Sequence, residues 1–155
     1  MKAALHAKVL ARAKDHINRH AQARYCRRAC LYTKNYMISI SYIDSYPVPN
    51  LLIPRIAKEY DYSIGYATGA LREAKRMLFM SAQTGKPFAP SALVDPAWHE
   101  MMLFTRFYQE FADTIGSFIH HDPTPGEPDG GALYEQTKKD YEEFFGQKPD
   151  PQFWP

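Results

Sequence analysis

Three histidines in the second half of the chain, with the carboxylates beside them, are the residues whose types could support chemistry. One lies in the run DPAWHEMM and two lie in the run FIHHDPTP. Imidazole and carboxylate groups bind divalent metals and act as general acids and bases. The sequence therefore offers a possible site for a divalent metal, made by His99, His120, His121 and Asp122, with Asp95 or Glu100 able to complete it.

The distance along the chain argues against such a shared site. If residues 95–115 form one straight helix, His99 and the histidine pair lie at opposite ends, roughly 30 Å apart. They could meet only if the loop after the helix folded back. Position 103 is Leu, so the zinc-protease pattern of two histidines four residues apart on a helix is absent. The sequence thus favours hydrogen-bonding caps and core supports as the roles of these histidines, and no cofactor is predicted.

The element that must position the histidines is the helix predicted over residues 95–115. Asp95 is suited to cap the first turn, Pro96 suits the start of a helix, and Gly116 suits its end. At 100° per residue, one face is apolar and further apolar residues flank it. Its members are Ala97, Met101, Phe104, Tyr108, Phe111, Ala112 and Ile115, flanked by Trp98, Met102 and Phe107. Such wide apolar coverage predicts a central helix with partners on several sides.

The remaining strip of this helix is polar and predicts a contact surface. It holds His99, Arg106, Glu110 and Asp113. The leading interpretation is a binding or interaction module for a protein partner or a small ligand, and the alternative is a metal-assisted enzyme. Its candidate contact residues are Asp95, Trp98, His99, Arg106, Glu110, His120 and His121. Trp98 could stack on a ligand, but aromatic residues at helical spacing are more often core residues.

The rest of the chain predicts an all-α domain of about four helices around the central one. Apolar spacing and capping residues indicate a short helix over residues 51–60, a longer one between Ser63 and Gly85, and a last one over residues 132–145. Alternation of Ile38, Ile40 and Tyr42 with serines predicts a short extended segment over residues 37–43. Phe153 and Trp154 predict that the proline-rich tail folds back over an apolar edge.

The charge distribution divides the chain into two electrostatic parts. Residues 1–34 hold nine Lys or Arg and one acid, whereas residues 35–155 hold ten Lys or Arg and sixteen acids. We therefore expect a basic helical extension over residues 1–36 and a single helical domain over residues 37–155. Arg24, Arg27 and Arg28 beside Tyr25 could contact nucleic acid or an anionic surface. The favoured interpretation of this extension is nevertheless a solvated terminal segment.

Several protein classes do not fit the sequence. No apolar run approaches the length of a membrane span, and the expected location is cytoplasmic. Cys26 and Cys30 have no second pair, so neither a disulfide scaffold nor a zinc ribbon is expected. A phosphate-binding glycine loop and a nucleophile elbow are also missing.

The runs LREAKRMLFM, VDPAWHEMMLFTRFY, FIHHDPTP and YEQTKKDYEEFFG, with the final WP, carry a resemblance that covers residues 51–155. In combination they resemble bacterial proteins similar to glycine-rich domain-containing proteins, which are related to a repeated domain of plant glycine-rich domain proteins. The resemblance implies a helical fold without an established activity. It marks Asp95, Trp98, His99, His120, His121 and Pro123 as signature positions. Relatives often carry a cysteine where this chain has Ala112, so no role that needs that thiol is implied.

A chain that begins at Met37 should keep the fold and the stability of the domain. Because this shorter chain lacks the basic segment, it should not bind nucleic acid or anionic lipid. Binding by the full chain should weaken steeply with added salt, because basic side chains that contact the anionic partner release its counterions. Circular dichroism and a salt series of binding titrations check both expectations. Unfolding of the shortened chain would show that the basic segment belongs to the core.

Overall fold

The computed structural model describes residues 38–122 and 131–155, and this part of the chain is all-α, as predicted. Its six helices are α1 (Ile40–Asp44), α2 (Leu52–Glu59), α3 (Ile64–Thr84), α4 (Asp95–Leu103), α5 (Thr105–Ile115) and α6 (Ala132–Phe145). None of the described residues forms a strand. None of the helices in these two ranges combines the length and apolar character that a bilayer span requires.

Helix α3 is the centre of the domain. It is 21 residues long and packs against each of the other five described helices. Its buried residues lie on most of its circumference, and they include Ala67, Leu71, Met77, Leu78 and Met80. The prediction that residues 95–115 form the centre was therefore wrong. The first half of α3 is rich in Ala and Gly, which allow close packing but give only a weak hydrophobic signal in the sequence. The sequence therefore did not indicate that α3 is the central helix.

The predicted helix over residues 95–115 is broken into α4 and α5 at Phe104. This residue has φ −89° and ψ 65°, outside the helical region, and its N–H bonds to the carbonyl of Met101. Helical bonding resumes when the Tyr108 N–H bonds to the Phe104 carbonyl. No glycine or proline marks the break, so the sequence shows no interruption. The wide apolar coverage belongs to two short helices, each packed on α3.

The segment predicted as extended over residues 37–43 contains helix α1 instead. The Ser39 side chain caps this helix by accepting a hydrogen bond of 3.2 Å from the Tyr42 N–H. Ile43 is fully buried, whereas Tyr42 is exposed. The alternation of Ile38, Ile40 and Tyr42 therefore does not mark a buried face, and a local serine cap determines the structure.

The predicted ends of the longer helices are confirmed. Ser63 caps α3 by accepting from the Tyr66 N–H at 3.1 Å. Gly85 and Gly116 follow α3 and α5 with φ of 69° and 101°, a left-handed conformation that favours glycine. Asp95 does begin α4, but it does not cap it. The Ser91 hydroxyl accepts from the Leu93 and Val94 amides instead, which leaves the Asp95 carboxylate available for other contacts.

The tail folds back on the domain, as predicted, and a buried carboxylate holds it. Phe153 and Trp154 are buried, and the Trp154 indole N–H donates to Glu73 at 3.2 Å. Glu73 is fully buried in α3, accepts from the Tyr141 hydroxyl at 2.8 Å and pairs with Arg76 at 3.3 Å. Because a buried charge is costly unless it is paired, these contacts fix the tail and α6 against α3.

Every described residue belongs to one compact unit, Ile38–Pro155. The predicted basic helix, with Arg24, Arg27 and Arg28, lies outside the described residues. Its proposed contact with nucleic acid stays a prediction.

Gly69→Ala should destabilise the domain, because a Cβ at this position would lie 2.3 Å from the Phe153 ring. The expected loss is about 1–3 kcal/mol, typical of overpacking in a core. Gly65→Ala is the matched control in the same helix, since nothing lies within 4 Å of its added Cβ. That control should be neutral or slightly stabilising. Urea denaturation of both variants checks the difference, and equal midpoints would contradict the docking of Phe153.

Candidate metal centre

Asp95, His99 and His121 converge at one point on the domain. The His121 Nε2 lies 3.0 Å from the His99 Nε2 and 3.0 Å from the Asp95 Oδ1, and the His99 Nε2 lies 3.4 Å from the Asp95 Oδ2. Asp95 and His99 are four residues apart on α4 and share one face of it. Their side chains are 30% and 43% exposed, and that of His121 is 13% exposed, so solvent reaches the cluster from one side.

The break at Phe104 and a buried hydroxyl bring His121 to the start of α4. The Trp98 indole N–H in α4 donates to the Tyr108 hydroxyl in α5 at 3.0 Å. The Tyr108 hydroxyl donates in turn to the carbonyl of Ile119, two residues before His121. The His121 ring then packs on the Trp98 ring, with centroids 4.4 Å apart. A straight helix would have kept these groups apart, so the fold-back required for a shared site is present.

Burial and negative charge shape the electrostatics around the cluster. Burial raises the pKa of the Tyr108 hydroxyl, so this group keeps its proton and remains a donor to Ile119. Burial also raises the pKa of Tyr60, and the negative charges of Glu100 and Asp95 raise it further. Glu100 is buried and pairs with Arg55. Tyr60 therefore lies within electrostatic range of both carboxylates, of which that of Glu100 is neutralised by Arg55.

The distances in the cluster match those between the ligands of a divalent metal. Zinc binds imidazole nitrogen and carboxylate oxygen at about 2.0–2.2 Å, and tetrahedral ligand atoms then lie roughly 3.3 Å apart. The three contacts of 3.0, 3.0 and 3.4 Å bracket this separation. Among the described residues, these three form the group of metal-ligand type whose atoms all lie within 4.8 Å of one another.

Protons cannot satisfy all three contacts at once. A neutral imidazole Nε2 either carries a proton and donates, or carries a lone pair and accepts. If the His121 Nε2 donates to Asp95, it has no lone pair left for a hydrogen bond from His99. If it accepts from His99, it faces the Asp95 carboxylate without a proton between them. A cation at the centre would instead take a lone pair from each of the three atoms.

The other residues predicted for the site lie in different surroundings. His120 is exposed and its ring contacts Phe118, with centroids 4.8 Å apart, so adjacent histidines point to different neighbours. Asp122 is also exposed and is not a member of the three-residue group. Trp98 is buried in the core, as the core interpretation predicts. Tyr108 and Ile119 were missed as site residues, and their spacing offers no signal that could have identified them.

Arg106 and Glu110 are exposed and line a cleft of about 590 Å³. The cleft lies between the loop Pro47–Pro49 and the residues around the α4–α5 break, where Leu103 is 61% exposed. None of the three cluster residues lines it. The polar strip predicted as one surface is thus divided between the cluster and this cleft.

The fold and the cluster define an all-helical domain with two imidazoles and one carboxylate at a partly exposed point. A family model described as UCP032817-like matches residues 39–129, which is more than half of the chain. The chain therefore belongs to the UCP032817-like family, and the match includes all three cluster residues. The family description states no activity. Neither a curated protein nor a solved structure matches the chain.

Tyr108→Phe should destabilise the domain by about 1–3 kcal/mol, because it leaves the buried Trp98 indole N–H and the Ile119 carbonyl without their shared partner. Tyr66→Phe is the control, since it removes one exposed hydrogen bond to the Gln152 carbonyl and should cost less than about 1 kcal/mol. Thermal denaturation measures both. A Tyr108 variant as stable as the control would mean that the Tyr108 hydroxyl does not hold the segment around Ile119 against α4.

Proposed function

We propose that this domain binds a divalent transition metal through the Nε2 atoms of His99 and His121 and the carboxylate of Asp95. The single observation that carries the proposal is the convergence of these three groups at 3.0–3.4 Å. The sequence favours a structural role for the histidines because it places them about one helix apart. The Nε2 atoms of His99 and His121 nevertheless lie 3.0 Å apart, which is close enough for both to bind one metal ion.

Two histidines and one carboxylate leave further coordination positions for water or a substrate. This ligand set is typical of catalytic zinc and of non-haem iron, whereas structural zinc sites usually have four protein ligands. The partial exposure of His99 and Asp95 agrees with an open position toward solvent. A metal held there would polarise an oxygen ligand and lower the pKa of bound water, so we favour a Lewis-acid role for the site.

The interaction module predicted from the sequence is the second candidate. The cleft beside Arg106 and Glu110 favours it, because it is apolar at Leu103 and Phe104 and carries one charge of each sign. Such a surface suits a short peptide or a small ligand. The resemblance to glycine-rich domain-containing proteins stays a prediction, and it marks Asp95, Trp98, His99 and His121 among its signature positions.

Metal titration of protein purified without a histidine tag tests the proposal. Zn²⁺ or Co²⁺ should bind with one-to-one stoichiometry by calorimetry and raise the melting temperature, because a ligand that binds the folded state stabilises it. His99→Ala and His121→Ala should each weaken binding by about 100-fold or more, since losing even a supporting group around a metal costs 10–100-fold. Asp95→Asn should also weaken metal binding.

The chain contains a matched control in His120→Ala, which removes an exposed imidazole next to the proposed ligand. This variant should bind metal like the unaltered protein. Equal losses in His120→Ala and His121→Ala, or no saturable binding in any form, would overturn the proposal. Circular dichroism of each variant separates a lost ligand from a lost fold.

A further inference from the structure

Lys75 is the only buried lysine among the residues that the structure describes. It lies on α3 and is only 4% exposed. Its Nζ donates to the carbonyl of Asp44 at 2.7 Å and to the carbonyl of Tyr46 at 3.4 Å. The Asp44 carboxylate is taken by Arg76, at 2.8 and 2.7 Å, and Lys75 forms no ion pair with any described residue. The amine is thus bound by neutral acceptors.

Two carbonyl acceptors match a neutral amine better than an ammonium ion. A neutral amine has two N–H donors and one lone pair, whereas an ammonium ion has three donors and needs three acceptors when buried. Burial lowers the pKa of Lys75 to about 8; the charge of Asp44 opposes this shift and that of Arg76 adds to it. With both N–H groups on carbonyls, the lone pair is left for an electrophile.

A cavity of about 260 Å³ gives this amine a place for a ligand. Lys75 lines it together with Asp44, Tyr46, Thr68, Gly69 and Arg72. The Arg72 Nε bonds to Glu73 at 3.2 Å, and the Arg72 side chain is 39% exposed, so the rest of its guanidinium fork can bind a further anion. The volume suits a molecule of a few heavy atoms that carries a carboxylate or a phosphate.

We propose that Lys75 is a reactive amine that condenses reversibly with a small anionic aldehyde held in this cavity by Arg72. The Nζ lone pair attacks the carbonyl carbon, and the carbonyl oxygen takes a proton to give a carbinolamine. Loss of water from the carbinolamine then forms the imine. The step uses no oxidant or reductant, and water reverses it. This site is independent of the proposed metal centre, which lies on other residues.

Glyoxylate with cyanoborohydride at pH 7.5 tests the proposal, because reduction traps the imine as a stable adduct that peptide mass mapping locates. At this pH an amine with a pKa of about 8 is neutral in about a quarter of molecules, whereas an ordinary lysine is neutral in about 0.1%. Lys75 should therefore be labelled at least about tenfold faster than the exposed Lys58, Lys139 and Lys148. Labelling of Lys75 no faster than these three would overturn the proposal.

Two variants test the roles of the Lys75 amine and of the Arg72 guanidinium. Lys75→Arg keeps donors for both carbonyls but is not nucleophilic at this pH, so it should fold normally and lose the fast label. Arg72→Gln should keep labelling by acetaldehyde and lose the preference for glyoxylate. Fast labelling that persists in Lys75→Arg, or no preference for glyoxylate over acetaldehyde in the unaltered protein, would contradict the assigned site.

Discussion

The break at Phe104 is the constraint on which the cluster of Asp95, His99 and His121 depends. With ψ of 65° at this residue, α5 leaves the axis of α4, and the chain after α5 returns to the first turn of α4. The Tyr108 hydroxyl then joins α4 to the returning chain through one bond on each side. The bond from Trp98 is buried and the bond to Ile119 is partly buried, so their loss would leave polar groups unpaired. The position of His121 is therefore a product of packing rather than of local sequence.

Helix α3 provides the surface against which this arrangement forms. Its small residues allow the tail to pack closely, and its buried Glu73 draws Arg76, Tyr141 and Trp154 into one network. Charged groups inside a small domain carry a desolvation cost that their partners must offset. Here the same helix also buries Lys75, whose partners are carbonyls rather than a carboxylate. The central helix thus combines a satisfied ionic network with a buried amine whose partners are neutral carbonyls.

The sequence predicted the elements with local chemical signals and missed those determined by tertiary contacts. Ser63, Gly85 and Gly116 mark helix ends because a serine cap and a left-handed glycine act within one turn. The break at Phe104 has no such local signal, and the two short helices that it separates both pack on α3. Apolar alternation suggested an extended segment at Ile38–Tyr42, but a single serine cap outweighed it.

The candidate site was predicted in part for the same reason. His99 and His121 were identified by residue type, and Asp95 was considered first as a cap because it precedes Pro96. A carboxylate four residues before His99 is also a ligand pair on one helix face, and that spacing was the available signal. The sequence could not separate His120 from His121, because only the path of the loop decides which imidazole turns toward α4.

The most direct test of the fold-back is a nuclear Overhauser measurement between the imidazole rings of His99 and His121 in metal-free protein. Their ring centroids lie 4.4 Å apart, so the ring protons should give a clear cross-peak. A further cross-peak should join His121 to the Trp98 ring, whose centroid is also 4.4 Å away. His120 should show contacts to Phe118 instead. Assigned His99 and His121 resonances without a mutual cross-peak would contradict the convergence on which the metal centre rests.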